Sequence, residues 1–284
     1  MDTVRTIDDM RAAAAALKRS GRQLALVPTM GALHGGHVAL IQQARAQGAA
    51  VVVSIYVNPT QFGLNEDFRQ YPRDIEADSQ LCDREHADAL FAPSDSQMYP
   101  GGPGPLAVAT WVEETVLSRR FEGERRPGHF RGVCTVVAKL FNIVQPDLAV
   151  FGQKDYQQLK VVQRMVRDLA YPIQIVPVPT VREPDGLAMS SRNQRLAGSE
   201  RVQATVLWKA LSVARDLHNE GEQNAHRLES AMQRTVGLAP AARLDYAQVV
   251  DGETLEPVAK VQSGSIALIA VHVGKVRLID NLIL

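Results

Sequence analysis

"QLALVPTMGALHGGHVALIQQARAQGAAVVVSIYVN", residues 23–58, carries the reading that decides the fold. "QLALVP" (23–28) is an apolar run with the character of a buried strand. "VALIQQARAQG" (38–48) reads as a helix that ends near Gly48, and "AAVVVSIYVN" (49–58) is rich in β-branched residues, as in a strand buried on both faces. Strand, helix and strand in this order form a β-α-β unit. Its first turn, "PTMGALHGGH" (28–37), crowds Gly31, Gly35, Gly36, His34 and His37 between strand and helix.

The alternation continues outward. An alanine-rich segment, 7–20, suits a helix with Gly21 as its stop. Residues 73–86, 133–144 and 156–170 read as helices, and 87–93, 147–152 and 173–180 as strands, with a turn-rich break at "PGGPGP" (100–105). The pattern predicts an α/β fold with a doubly wound parallel sheet. Ligands of such sheets bind beyond the carboxyl ends of the strands, at the switch point. "PTMGALHGGH", "NPTQF" (58–62) and "FGQKD" (151–155) each follow a strand, and "REPDGLAMSSRN" (182–193) follows the last of the series.

Beyond residue 180 the pattern changes. Residues 199–221 read as one long helix with Ser199 as a candidate N-cap, and 224–236 as another. Strands at 243–251 and within 263–280 lack intervening helices, which predicts a smaller α+β domain. The expected division is 1–180 and 181–284.

Composition narrows the function. Lys plus Arg and Asp plus Glu number 31 each, so the chain lacks the basic excess usual in nucleic-acid binders. The two cysteines, Cys82 and Cys134, have no partners at metal spacing and fit a reducing compartment. The opening "MDTVRTIDDM" shows no apolar secretory core, and "SIALIAVHV" is too short to span a bilayer. A soluble, cytoplasmic protein is expected, with small-molecule substrates rather than nucleic acid or membrane as partners.

The turn itself has three readings. A glycine-rich turn entering a helix presents backbone N–H groups at a positive dipole end, which suits phosphate. His34 and His37, three apart, share one side of the first helical turn and would stabilise charge on a leaving pyrophosphate. Two histidines at that spacing are also a partial zinc set, and a plain strand–helix turn is the third reading. Lys154 supplies a compact cation after a strand, and Ser190, Ser191 and Arg192 are good phosphate donors. Asn58 and Gln61 are amides able to orient a hydroxyl or carboxylate. "RRPGHFRG" (125–132) reads either as a mobile anion-binding lid or as a solvated turn.

Taken together, "PTMGALHGGH", "NPTQF", "YPRD", "RPGHFRGV", "FGQKDYQQL" and "DGLAMSSRN" resemble the pantoate–β-alanine ligase family in content and order. The resemblance implies a Rossmann-like nucleotidyltransferase domain, a smaller C-terminal lid domain and a homodimer. It implies that ATP and pantoate form pantoyl-adenylate and pyrophosphate with Mg²⁺, and that β-alanine then displaces AMP. It also implies roles for residues. Met30, Gly31, Ala32, Leu33, His34, Gly35, Gly36 and His37 match the ATP-binding turn, with His37 as proton donor and His34 facing phosphate. Gly152, Gln153, Lys154 and Asp155 match a second ATP segment, Val181 a backbone contact to adenine, and Met189, Ser190, Ser191 and Arg192 a phosphate loop. Gln61 and Gln158, with Asn58 beside them, match the pantoate and β-alanine site, and Asp78 an acidic position associated with Mg²⁺.

Overall fold

The computed structural model describes residues 1–63, 66–102 and 108–284; part of the expected break at 100–105 lies outside them. The described residues divide into two compact units, 1–153 with 157–179, and 154–156 with 180–284.

The first unit is built on a six-stranded, all-parallel sheet in the order β1-β4-β3-β2-β5-β6. The strands are β1 (Asp2–Val4), β2 (Leu24–Thr29), β3 (Ala50–Ile55), β4 (Ala89–Phe91), β5 (Leu148–Gly152) and β6 (Gln174–Val178). The chain winds outward from β2 to β3 and β4, then returns to the other side of β2 to lay down β5 and β6. The switch point therefore falls between β2 and β5. Val51, Val52 and Val53 are fully buried, as expected of a strand covered on both faces. β1 is absent from the sequence reading: three residues in a polar segment carry too little pattern, and the strand forms by pairing at the sheet edge with β4.

Helices α1 (Ile7–Arg19), α2 (Gly35–Ala46), α3 (Ile75–Arg84), the short α4 (Asp95–Met98) and α5 (Glu122–Arg125), α6 (His129–Val144) and α7 (Tyr156–Asp168) accompany this sheet. Thr6 caps α1, its side chain accepting from the Asp9 N–H. Ala25, Val27, Ile41, Ala44, Val51, Val53, Leu90 and Val150 form one core between α2 and the sheet. Cys82 and Cys134 are both fully buried, and burial pushes each thiol up to about 12. They behave as inert core side chains.

The second unit has a three-stranded antiparallel sheet of β7 (Ala242–Asp251), β8 (Ser265–Val273) and β9 (Val276–Ile283). Its helices are α8 (Ser199–Gln203), α9 (Val206–Asn219) and α10 (Ala225–Val236). Leu207, Leu211, Leu228, Met232, Val249, Ile269 and Val271 fill its core. The single helix expected over 199–221 is two, parted at Ala204–Thr205. Gly198 (φ +50°), not Ser199, is the residue before the first helical turn. Apolar periodicity runs across that joint, which is why the sequence hides it. Among the described residues, no helix is long and apolar enough to cross a membrane.

Candidate active site

The central strand β2 delivers the chain into the turn 30–37 at the carboxyl edge of the sheet. Thr29 donates its hydroxyl hydrogen to the Ser54 carbonyl (2.8 Å) and accepts the Gly31 N–H (3.1 Å), tying the start of the turn to β3. Gly31 has φ +83°, and a Cβ there would stand 2.9 Å from Asp78 Oδ2 and 3.1 Å from Ile55. Only glycine meets both demands. Ala32 follows at φ +52°, a conformation an L-residue holds only when its surroundings enforce it. Asp78, on α3, supplies the enforcement: its Oδ2 accepts the Ala32 N–H (2.9 Å) and its Oδ1 the Leu33 N–H (2.7 Å).

This gives Asp78 a duty different from the expected one. The side chain is buried at 4% exposure, and both oxygens are committed to the turn's backbone. Burial lifts its carboxyl above the ordinary range, against the two N–H groups that pull it down. No group of three or more His, Cys, Asp or Glu able to hold a metal occurs among the described residues. Asp78, with both oxygens on backbone N–H groups, has no carboxylate oxygen to spare for a cation in this arrangement.

The two histidines close the turn as a reciprocal cap on α2. His34 Nδ1 accepts the Gly36 N–H (3.1 Å), and His37 Nδ1 accepts the His34 N–H (3.2 Å). Their rings lie 4.2 Å apart between centroids. An Nδ1 that accepts a backbone hydrogen bond carries no proton, so each neutral ring carries its hydrogen on Nε2. The cap thus sets the tautomer that makes Nε2 the donor. Gly35 is exposed at the start of the helix, and both histidines are half-buried.

Gln61, after β3, joins this turn from the side. Its Nε2 donates to Met30 Sδ (3.0 Å), and its Oε1 accepts from Asn58 Nδ2 (3.1 Å). Asn58 is only 1% exposed. It also donates to the Gly132 carbonyl (3.1 Å) and accepts from the Tyr99 and Thr60 hydroxyls (both 2.9 Å). With its amide engaged at both ends, Asn58 shapes the position of Gln61. Gln158 is half-buried on α7; its neighbour Gln157 is buried, donates to the Leu117 and Arg120 carbonyls and accepts the Glu122 N–H. Gly152 and Gln153 follow at the end of β5.

The second unit gathers the remaining expected residues. Lys154 Nζ lies 3.7 Å from Asp155 Oδ1, and the Lys154 carbonyl accepts from Asn281 Nδ2 on β9 (2.9 Å). Val181 and Met189 face each other across a tight loop, the Met189 N–H donating to the Val181 carbonyl (2.9 Å). Arg182 anchors that loop: it grips Asp280 with two hydrogen bonds (2.6 and 3.0 Å) and stacks on Trp208 at 3.9 Å. Gly186 turns the loop at φ +90°, where a Cβ would lie 2.0 Å from Trp208. The Ser190 hydroxyl accepts the Arg192 N–H (3.3 Å), capping the 3-10 turn Ser191–Arg195.

The structure corrects the lid reading of "RRPGHFRG". His129 is buried and opens α6, and Arg126 is held by Glu66. Sequence reasoning also passed over Glu66, Arg182 and Asp280. The partners of these residues lie 60 to 98 positions away, and no local pattern points to them.

The sheet order, the switch point and a capped helix N-terminus carrying two neutral imidazoles define a class: an open parallel α/β protein whose switch point opens beside a capped helix N-terminus. Comparison with known proteins agrees. Residues 2–283 match the model of the family described as pantoate-beta-alanine ligase. The pantothenate synthetases of Thermotoga neapolitana and Moorella thermoacetica are each 49% identical over 284 residues, covering 100% of this chain and 100% and 99% of theirs. The crystal structure of pantothenate synthetase from Thermus thermophilus superposes with a TM-score of 0.92 at 46% identity, covering 99% of both chains. That of the Francisella tularensis pantoate-beta-alanine ligase, complexed with beta-gamma ATP and beta-alanine, does so at 0.80 and 33%, covering 100% of this chain and 97% of its own. The chain belongs to the pantoate–β-alanine ligase family.

Proposed function

We infer that this enzyme joins pantoate to β-alanine at the expense of ATP. One observation carries the reading: the His34–His37 cap puts Nε2 hydrogens and helix N–H groups at the same turn whose Met30 receives Gln61. A phosphate-binding element and an amide suited to a hydroxy acid thus adjoin.

The chemistry follows from the difficulty of the reaction. A carboxylate is a poor acyl donor, because its leaving group would be oxide. Attack of a pantoate carboxylate oxygen on the α-phosphorus of ATP expels pyrophosphate and gives pantoyl-adenylate. The β-alanine amine then attacks the acyl carbon, loses a proton, and AMP departs with the bridging oxygen. Nucleophile and triphosphate are both anionic, so the site needs positive and hydrogen-bonding groups. His34 and His37 offer neutral N–H donors and α2 its N-terminus; in the second unit Lys154 and Arg192 offer cations, and Ser190 and Ser191 offer hydroxyls. The amide step needs mainly positioning. We assign Gln61 and Gln158 to pantoate, Val181 and Met189 to the adenine side, and Asp155 to the ribose. Mg²⁺, if it accompanies the nucleotide, would offset phosphate charge; this ion keeps most of its water and seldom uses an all-protein cage. The family likeness supports a homodimer, which light scattering checks, and buried free Cys82 and Cys134 support a cytoplasmic setting.

The test is an AMP assay with ATP, pantoate and β-alanine, each omitted in turn. Pyrophosphate should form without β-alanine, and AMP release should require it. AMP release indifferent to pantoate would sink the reading.

A further inference from the structure

The motif "RPGHFRG" has no part in the chemistry above, yet it holds a buried titratable side chain. His129 is 7% exposed and is the first residue of α6, which Gly128 enters at φ +83°. Its Nδ1 lies 2.8 Å from the Gln61 carbonyl oxygen, and its Nε2 lies 3.0 Å from Arg126 Nη1. A carbonyl only accepts and a guanidinium only donates. Both contacts therefore demand the same neutral ring, with the hydrogen on Nδ1 and the lone pair on Nε2. Arg126 is fixed in turn by Glu66, through Nε to Oε1 (3.0 Å) and Nη2 to Oε2 (2.7 Å).

We propose that His129 is a positioning residue for pantoate binding, holding the backbone carbonyl of Gln61 through a relay that runs from Glu66 to Arg126 to His129. The proposal rests on the assignment of Gln61 to pantoate. The rest of Gln61 is held from the other side: its N–H donates to the Asn58 carbonyl (3.4 Å), and its side-chain oxygen accepts from Asn58 Nδ2. The relay supplies the remaining restraint and so fixes the direction from which the side chain leaves the backbone. Gly132 keeps the donor in place. A Cβ there would stand 2.4 Å from the Thr60 carbonyl oxygen and 2.7 Å from Gln61 Cα, so only glycine lets α6 lie directly on the loop.

The charges around the ring agree with a fixed tautomer. Burial first, then the Arg126 guanidinium, bring its pKa down to about 4; the Gln61 carbonyl, Glu66 and Glu122 act in the opposite sense without prevailing. An imidazolium here would turn Nε2 into a donor facing a donor.

The test compares His129→Leu with His129→Asn, whose Nδ2 stands where Nδ1 was. For His129→Leu the pantoate KM should rise on the order of tenfold, the scale of one buried carbonyl left unpaired, with the ATP KM within about twofold. His129→Asn should recover most of that rise. Equal increases in both KM values, no increase, or no recovery by Asn would overturn the proposal. If His129→Leu does not fold, Glu66→Gln takes its place: a pantoate-selective KM increase supports the relay, and unchanged KM values refute it. A second readout does not involve activity. Histidine ¹⁵N spectra of the unmodified protein should show one ring, lost in His129→Asn, as the Nδ1–H tautomer without titration from pH 5 to 8. An Nε2–H tautomer, or titration in that range, would overturn the relay whatever the substrate is. Absence of pantothenate formation by the unmodified enzyme would instead remove the functional reading and leave the spectrum to decide the relay.

Discussion

At Met30–His37 the turn is pinned from below by Asp78 and Thr29 while its histidines and Gly35 stay partly open. At Asn58–Gln61 the polar groups are buried, and they are bonded to Met30, Tyr99, Gly132 and His129. The two stretches follow adjacent strands of one sheet, and both resemble family motifs. They nonetheless do different things with polarity. The first sets donors on a rigid base, as stabilising a charge that appears during reaction requires. The second commits its donors and acceptors to holding one glutamine. Residues that look alike in a motif therefore divide into groups left partly open and groups committed to holding other side chains.

If the division is right, changes in the turn should damage the rate, and changes in the knot should damage folding or pantoate binding. The largest effect is expected at the donors of the turn. His37→Ala should slow pyrophosphate release by about 10²–10³ fold with the pantoate KM little changed, the loss typical of one preorganised donor. Lys154→Ala should fall in the same range. Wild-type turnover in either variant would remove that residue from the chemistry. Gly132→Ala comes next, because its Cβ meets backbone and not a side-chain tip that can swing away. A loss of roughly 2–3 kcal/mol in urea unfolding is expected, as for other overpacked sites. An unchanged midpoint would mean that α6 does not need its close approach.

The knot should also be acid-sensitive in a definite sense. His129 is held near pKa 4 when folded, below its ordinary 6.5, so between those values the unfolded chain binds more protons. Folding stability is then lost as pH falls from about 6.5 towards 4, by roughly 2–3 kcal/mol at 1.36 kcal/mol per unit. Glu66 adds in the same direction at lower pH. Its folded carboxyl lies below the ordinary value through the Arg126 pairing, which prevails over burial. Stability from that pair is present above the unfolded pKa and lost as pH falls through the folded one. Denaturant midpoints at pH 7, 6, 5 and 4.5 should fall in the unmodified protein and flatten in His129→Asn; parallel curves would contradict the buried neutral ring. The smallest effect is expected from Asp78→Asn. One acceptor on the turn is lost, but a buried charge is lost with it, so a net change of about 1 kcal/mol should weaken ATP binding only a few fold in calorimetry. A hundredfold loss would restore a direct role for the carboxylate.

Much of this is legible in the sequence, for identifiable reasons. The β-α-β unit at 23–58 announces itself through runs of valine and a glycine stop, and the strands and helices that period and composition mark between it and residue 180 all occur. The turn is legible because glycine and histidine are closely spaced there. What stays hidden depends on contacts across the fold. Asp78 reaches the turn from 45 and 46 residues away, Glu66 reaches Arg126 across 60, and Arg182 meets Asp280 across 98. Residue type cannot separate Asn58 from Gln61, because their different duties come from the partners each one meets. The break at Ala204–Thr205 escapes because apolar spacing is kept across it.

The central claim is that pantoate is activated through its own carboxylate before the amine arrives. Pantoate labelled with ¹⁸O in both carboxylate oxygens tests this directly. Turned over with ATP and β-alanine, it should deliver one ¹⁸O to each AMP, leave one in the amide carbonyl of pantothenate, and put none in pyrophosphate. AMP without label, or label in inorganic phosphate with ADP as the nucleotide product, would contradict the adenylate and the account built on it.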